Sequence, residues 1–149
     1  MSQKVDDEEG REALDRSVRA LARRDHSVAS LRAKLERARV PEAAQAEALD
    51  RLARAGYLDD ARFARARALQ LAERGYGDEW IRGDLDAQGV GVEAAAAALA
   101  ELQPEAERAE RESVRLGGGL RAVRSLARRG FAEQTLEALV ARDPGAGVG

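Results

Sequence analysis

Apolar residues return along this chain every three or four positions, with no runs of alternating β-branched and aromatic residues, which is the spacing of a helix face rather than of a strand. Leu14, Val18 and Leu21 stand at i, i+4 and i+7 and predict a first helix ending near Arg23 and Arg24. Asp25 and His26 make a turn, Ser27 is placed to cap a second helix, and Val28, Leu31, Leu35 and Ala38 form its stripe. Pro41 suits the first position of a third helix, where its missing N–H has no intrahelical partner, and Gly56 closes it. A fourth helix runs from Asp60 to about Arg74 on Phe63, Ala64, Ala68, Leu71 and Ala72. The turn Gly75-Tyr76-Gly77 precedes a fifth carrying Ile81 and Leu85, and an Ala-rich sixth spans about Val92 to Leu102. The expected class is all-α.

Between the third and fourth helices lies the most informative stretch, Gly56 to Phe63. Gly56 supplies a left-handed stop, Asp59 offers a carboxylate to the free N–H groups of the next first turn, and Leu58 with Phe63 has the spacing of a hydrophobic staple. Asp59 and Asp60 read as capping and favourable N-terminal charge rather than as an acid/base or metal pair, because neighbouring helical positions diverge by about 100°. Gly56, Tyr57, Leu58, Asp59, Asp60 and Phe63 are therefore expected to be structural.

Sliding the chain on itself by about 50 residues exposes a repeat. Leu21 falls on Leu71, Leu31 on Ile81, Leu35 on Leu85, Val40 on Val90, Leu49 on Leu99 and Leu52 on Leu102, while Ser27 falls on Gly77. A second offset of about 41 carries Leu85 to Leu126, Gly89 to Gly130, Val90 to Phe131 and Ala98 to Leu139. The expected organisation is a disordered acidic lead-in (1–10), three three-helix repeats (11–56, 57–103 and 104–142) and a flexible tail (143–149). Gly117-Gly118-Gly119 would be a flexible joint within the third repeat. Tandem units that touch mainly their neighbours predict an elongated, curved array. Gly precedes Val90 and Phe131, but Arg39 precedes Val40, so a different cap is expected there because φ > 0 strains a residue with a Cβ.

Composition narrows the chemistry. Aromatic residues are 3% of a chain that is 44% apolar, so the core must be Leu, Ala and Val from closely approaching helices. The absence of cysteine excludes disulfides, thiolate catalysis and Cys-ligated zinc and agrees with a cytoplasmic protein; no stretch is apolar for long enough to span a membrane. His26, the single histidine, has no cluster of catalytic or metal-binding partners and reads as a turn residue. The Gly75–Gly77 turn lacks the Lys-Ser/Thr of a phosphate loop. No enzyme, cofactor or metal is expected. The net charge of −2 conceals strong segregation: residues 11–39 carry nine basic and four acidic side chains, 78–102 one basic and six acidic, and 113–131 five basic and none acidic. Basic stretches of this kind suit phosphates or acidic protein surfaces, against the alternative of a merely solvated face.

The ordered set Arg24-Asp25-His26-Ser27, Leu31, Lys34-Leu35, Gly56-Tyr57-Leu58-Asp59-Asp60, Arg62-Phe63-Ala64, Gly75-Tyr76-Gly77, Ile81, Leu85, Gly89-Val90 and Arg128-Arg129-Gly130-Phe131 resembles RecX, the bacterial regulators of the RecA recombinase. The resemblance spans roughly residues 11 to 142. It implies a helical-repeat protein lying in the groove of the RecA filament on single-stranded DNA and limiting ATP hydrolysis, strand exchange and co-protease activity. A monomer is expected. The family usually places basic residues around the Gly-Tyr-Gly turn; Leu71, Glu73, Asp78 and Trp80 stand there instead, which shifts the expected contacts to the first and third repeats.

Candidate contact residues are Arg23, Arg24, Arg32, Lys34, Arg37 and Arg39 in the first repeat and Arg121, Arg124, Arg128 and Arg129 in the third. Arginine's planar fork matches both carboxylate and phosphate. Trp80 reads either as an interface anchor or as core. A DNA-binding helical-repeat protein with no obligate protein partner is the competing reading; against it stand the acidic overall balance and the absence of a groove-reading helix.

Overall fold

The computed structural model describes residues 5 to 142, and among them every regular element is an α-helix. Nine follow in order: α1 (Asp7–Arg23), α2 (Val28–Arg37), α3 (Glu42–Arg54), α4 (Asp60–Glu73), α5 (Asp78–Ala87), α6 (Val92–Ala100), α7 (Glu105–Arg115), α8 (Gly119–Arg128) and α9 (Glu133–Arg142). The all-α expectation holds. Abundant Ala, Leu, Arg and Glu favour this outcome, and stops at Gly56, Gly75, Gly89 and Gly130 divide it.

Local details depart from the sequence reading in four places. Residues 7 to 10, assigned to an unstructured lead-in, begin α1: Asp6 Oδ1 accepts the Glu8 N–H at 2.8 Å, and Asp7, Glu8 and Glu9 place negative charge at the positive end of the helix dipole. The remainder of that lead-in, residues 1 to 4, and the tail from Asp143 to Gly149 lie outside the described residues. Secondly, α1 turns a smaller-residue face inward than Leu14, Val18 and Leu21 suggest. Ala13, Ser17 and Ala20 are buried, Leu14 and Leu21 flank them, and Val18 stays half exposed. Small side chains let the helix axis approach its neighbours, and Ser17 Oγ satisfies itself by donating to Ala13 O at 2.7 Å. Thirdly, Pro41 occupies the N-cap of α3, one position before the site expected for it.

The fourth departure is Arg39. It adopts φ +61, the left-handed conformation expected to be avoided there. Its N–H donates to Glu36 O at 2.9 Å and the Val40 N–H to Leu35 O at 3.1 Å, the same pair of closing bonds that Gly56 and Tyr57 make to Ala53 O and Leu52 O at 3.1 and 2.9 Å. Satisfying the last carbonyls offsets a strain of about 1 kcal/mol. Arg39 is exposed, so its Cβ has room. At Gly89 a Cβ would collide with that of Ala29.

Two compact units make up the chain. One contains the described residues up to Phe63 together with Gln88–Val90; the other contains Ala64–Ala87 and the described residues from Gly91 onward. In the first, α1, α2 and α3 pack on one another around Leu31, Leu35, Ala44, Leu49, Leu52 and Leu58. In the second, α5 packs on α6, while α7, α8 and α9 pack pairwise around Ala109, Leu126 and Phe131. A bidentate pair, Arg67 to Asp84 at 2.7 and 2.9 Å, ties α4 to α5 within the second unit. Gly117, Gly118 and Gly119, read as a flexible joint, all adopt positive φ (93°, 70° and 76°) and link α7 directly to α8. Gly118 donates its N–H to Ser113 O at 2.8 Å, so the triglycine serves a backbone path closed to other residues.

Candidate functional site

The Gly56 to Phe63 stretch acts mainly as expected. Gly56 has φ +85, and Asp59 Oδ1 accepts the Arg62 N–H at 3.1 Å as the cap of α4. Leu58 is buried and Phe63 half-buried. Tyr57 departs from its structural assignment, because it lies 67% exposed beyond the turn that would have to bury it. Asp60 does more than lend charge to its own helix. Its Oδ1 accepts the Val28 N–H at 2.8 Å, capping the start of α2 from across the first unit.

That bond belongs to a junction built on the N-terminus of α2. Ser27 Oγ accepts the Ser30 N–H at 3.0 Å and donates to Gln88 O at 2.5 Å, and Gly89 lies against Ala29. A counterpart stands on the N-terminus of α5 in the second unit. There the Gly77 N–H donates to Arg129 O at 2.8 Å and the Glu79 N–H to Gly130 O at 3.1 Å. Glu105, the first residue of α7, accepts the Asp78 N–H on Oε2 and the Ala132 N–H on Oε1, both at 2.8 Å. A Cβ on Gly130 would stand 2.6 Å from Trp80 N.

Arg108 completes the second junction. Only 8% exposed, it donates to Gln103 O at 2.9 Å and Tyr76 O at 3.1 Å and pairs with Asp78. Burial raises the Asp78 carboxyl above its ordinary value; Arg108 opposes that shift and the neighbouring Glu105 adds to it. Hydrogen bonding from Arg115, with Arg129 assisting, holds the Glu112 carboxyl below the usual range. Arg108, Glu105 and the reach of Asp60 were missed from sequence. A signal existed: the 50-residue offset lays Val28 on Asp78, and an acid, Asp60 or Glu105, opens both α4 and α7.

The basic candidates do not all share one environment. Arg23, Arg24, Arg32, Lys34, Arg37 and Arg39 are exposed, and none makes an ion pair among the described residues. Arg121, Arg124 and Arg128 lie at i, i+3 and i+7 of α8, opposite buried Ala122 and Leu126, and form one exposed stripe. Arg129 is drawn out of that group by Glu112 at 2.8 Å. Trp80 is 47% exposed and stacks on Tyr76, with ring centroids 4.8 Å apart and planes 14° from parallel. His26 sits in the expected turn but is buried, its Nδ1 2.9 Å from Ser30 Oγ and its Nε2 without a partner. Desolvation, then Arg24 and Lys34, lowers its pKa. Among the described residues no acidic or histidine cluster is arranged to hold a metal, and no helix is long and apolar enough to cross a membrane.

No protein-family model matches the chain. It is, however, similar to named proteins over most of its length. Regulatory protein RecX of Xanthomonas oryzae pv. oryzae (strain MAFF 311018) is 37% identical over 142 residues, covering 88% of each chain. The protein of the same name from Stenotrophomonas maltophilia (strain R551-3) is 32% identical over 141 residues, covering 88% of this chain and 86% of the relative. Among solved structures, RecX from Lactobacillus salivarius superimposes with a TM-score of 0.77 at 16% identity over 91% of this chain and 96% of the other, which is a likeness of fold. With 37% and 32% identity to these relatives over most of its length, the chain belongs to the RecX family of regulatory proteins.

Proposed function

We propose that this protein is a non-catalytic regulator that binds in the groove of the RecA filament on single-stranded DNA and inhibits RecA's ATPase, strand-exchange and co-protease activities. In this reading the nine helices act as three three-helix repeats, with the junctions at Ser27/Asp60 and Gly77/Glu105 holding successive repeats in register. The observation that carries it is the exposure, in a chain of this family, of basic side chains at Arg23, Arg24, Arg32, Lys34, Arg37 and Arg39 and at Arg121, Arg124 and Arg128. Unpaired exposed guanidinium groups are available to phosphate or carboxylate without first breaking an internal pair. The acidic segment from 78 to 102 would face basic groups of the filament, and Trp80 offers an aromatic anchor beside it. Such a regulator works as a monomer in the cytoplasm, within recombination, DNA repair and the SOS response.

Titrating the protein into RecA on single-stranded DNA tests the reading. ATP hydrolysis and strand exchange should fall at near-stoichiometric amounts, and the protein should sediment with filaments. No inhibition together with no co-sedimentation would reject it.

A further inference from the structure

The middle of α5 holds a glycine that no contact among the described residues explains. Gly83 stands where alanine would be more favourable, since glycine loses more backbone freedom in a helix and brings no side chain to pack. Other glycines of the second unit have a structural reason. Gly75 takes positive φ, a Cβ on Gly77 would stand 2.5 Å from Phe131 N, and one on Gly130 would stand 2.6 Å from Trp80 N. Gly83 has an ordinary helical φ and is exposed, and beyond its own turn of helix a Cβ there would meet no atom within 4 Å.

The residues around this bare spot give it a chemistry. Positions three and four away are its neighbours on the helix surface: Glu79 and Trp80 on the N-terminal side, Asp86 and Ala87 on the other. Trp80 is 47% exposed, and Tyr76 stacked at 4.8 Å covers one face of its indole, so its exposed surface is offered from the other face and the edges. Asp86 is exposed and makes no ion pair among the described residues, and a side chain at its position leans back over the turn that contains Gly83. Asp78 and Asp84 are already committed to Arg108 and Arg67. Glu79 shares its charge with Arg82 at 3.1 Å in an exposed pair that exchanges readily with solvent. An aromatic face, an unpaired carboxylate and a gap between them match a guanidinium group: the ring takes its plane, the carboxylate its charge, and the gap its stem. The same carboxylates repel phosphate.

We propose that the α5 surface formed by Trp80, Gly83 and Asp86 is a receptor for an arginine side chain of a protein partner. This deepens the proposed function and rests on that reading for the partner, giving the acidic second unit a defined contact with basic protein rather than with nucleic acid.

Trp80 is the only tryptophan of the chain, so full-length protein carrying fluorotryptophan has a single fluorine resonance, placed at the site. N-acetylarginine methylamide titrated through the millimolar range should move that resonance saturably, and the neutral citrulline analogue of the same shape should bind about threefold more weakly or not at all. Gly83→Gln fills the gap with a better helix former; it should raise the thermal midpoint and abolish the shift, a combination that a structural glycine would not produce. In sedimentation with RecA filaments, Asp86→Asn should weaken binding about threefold and Trp80→Ala about fivefold, while Ala97→Gln, an exposed change on α6, should leave it unchanged. No shift with the arginine compound, an equal shift with the citrulline compound, an undiminished shift in Gly83→Gln or a lowered midpoint of that variant would each overturn the proposal. So would a shift with oligothymidylate that Gly83→Gln abolishes, since the site would then belong to nucleic acid. Parental filament inhibition by both Gly83→Gln and Asp86→Asn would overturn it as well. An arginine-dependent shift in a protein that neither inhibits RecA nor sediments with its filaments would reject the regulatory reading and leave the receptor standing.

Discussion

The N-termini of α2 and α5 present the same problem, unpaired backbone N–H groups at the start of a packed helix, and the two units meet it with different chemistry. At α2 a hydroxyl mediates: Ser27 accepts from Ser30 and donates to Gln88, while Asp60 takes the Val28 N–H. At α5 the mediator is missing and the backbones touch, so that the Gly77 N–H meets Arg129 O directly and a Cβ at Gly77 would stand 2.5 Å from Gly130 C and Phe131 N. The second junction also adds Glu105 across two N–H groups and Arg108 against Asp78. Aligned positions therefore share a role without sharing a tolerance. Serine is right at 27 and obstructive at 77.

Exchanging the two residues gives the sharpest contrast. Gly77→Ser should cost about 3 kcal/mol in urea unfolding, because backbone rather than a flexible side chain must give way. Ser27→Gly should cost no more than about 1 kcal/mol, the typical loss on removing a cap. Equal effects would mean that the two junctions are interchangeable.

Next in size is Arg108→Met, expected to cost about 2 to 3 kcal/mol near neutral pH by leaving Asp78 charged and poorly solvated. The folded Asp78 already binds its proton more tightly than an unfolded aspartate, so its contribution is most favourable in acid and is lost as pH rises through the folded value. Without Arg108 that shift grows. The variant should therefore approach the parent in stability below about pH 4, and a deficit independent of pH would point to lost packing alone.

Smaller effects follow for the acids. Glu105→Gln keeps one acceptor for two N–H groups and should cost about 1 to 2 kcal/mol, against about 1 kcal/mol for Asp60→Asn, where one acceptor still faces one donor. The order, measured by chemical denaturation, separates a carboxylate that bridges from one that only caps. Smallest is the effect at His26, beside Ser27. Its folded pKa is depressed, so the stability it contributes is present above the ordinary histidine value and is lost as pH falls below about 6.5 toward the folded value. His26→Gln should flatten the stability profile across that window; an unchanged profile would show that the imidazole is not desolvated in solution.

Local signals made much of the fold legible in the sequence. Helix type, the positions of the turns, the caps Ser27 and Asp59 and the left-handed Gly56 all depend on residues within about four positions of each other, the range over which a helix turn and its cap are decided. The basic stripe of α8 was legible for the same reason, since i, i+3 and i+7 share a face however the helix is packed. Elsewhere tertiary packing intervened. Val18 lost its place in the core to Ser17 because the closeness of α1 to its neighbours selects small side chains, and Arg39 accepted a strained φ because two closing bonds and open space outweighed it.

The chain by itself thus determined its helices, most of their ends and the segregation of its charge. Only the fold decided which charges are spoken for: that Asp60 reaches Val28, that Glu105 bridges Asp78 and Ala132, that Arg108 is buried, and that Arg129 pairs with Glu112 while Arg121, Arg124 and Arg128 remain exposed. The reason is range. A cap is found within a turn of its helix, whereas these partners lie 17 to 32 residues apart and meet only after packing has brought separate helices together.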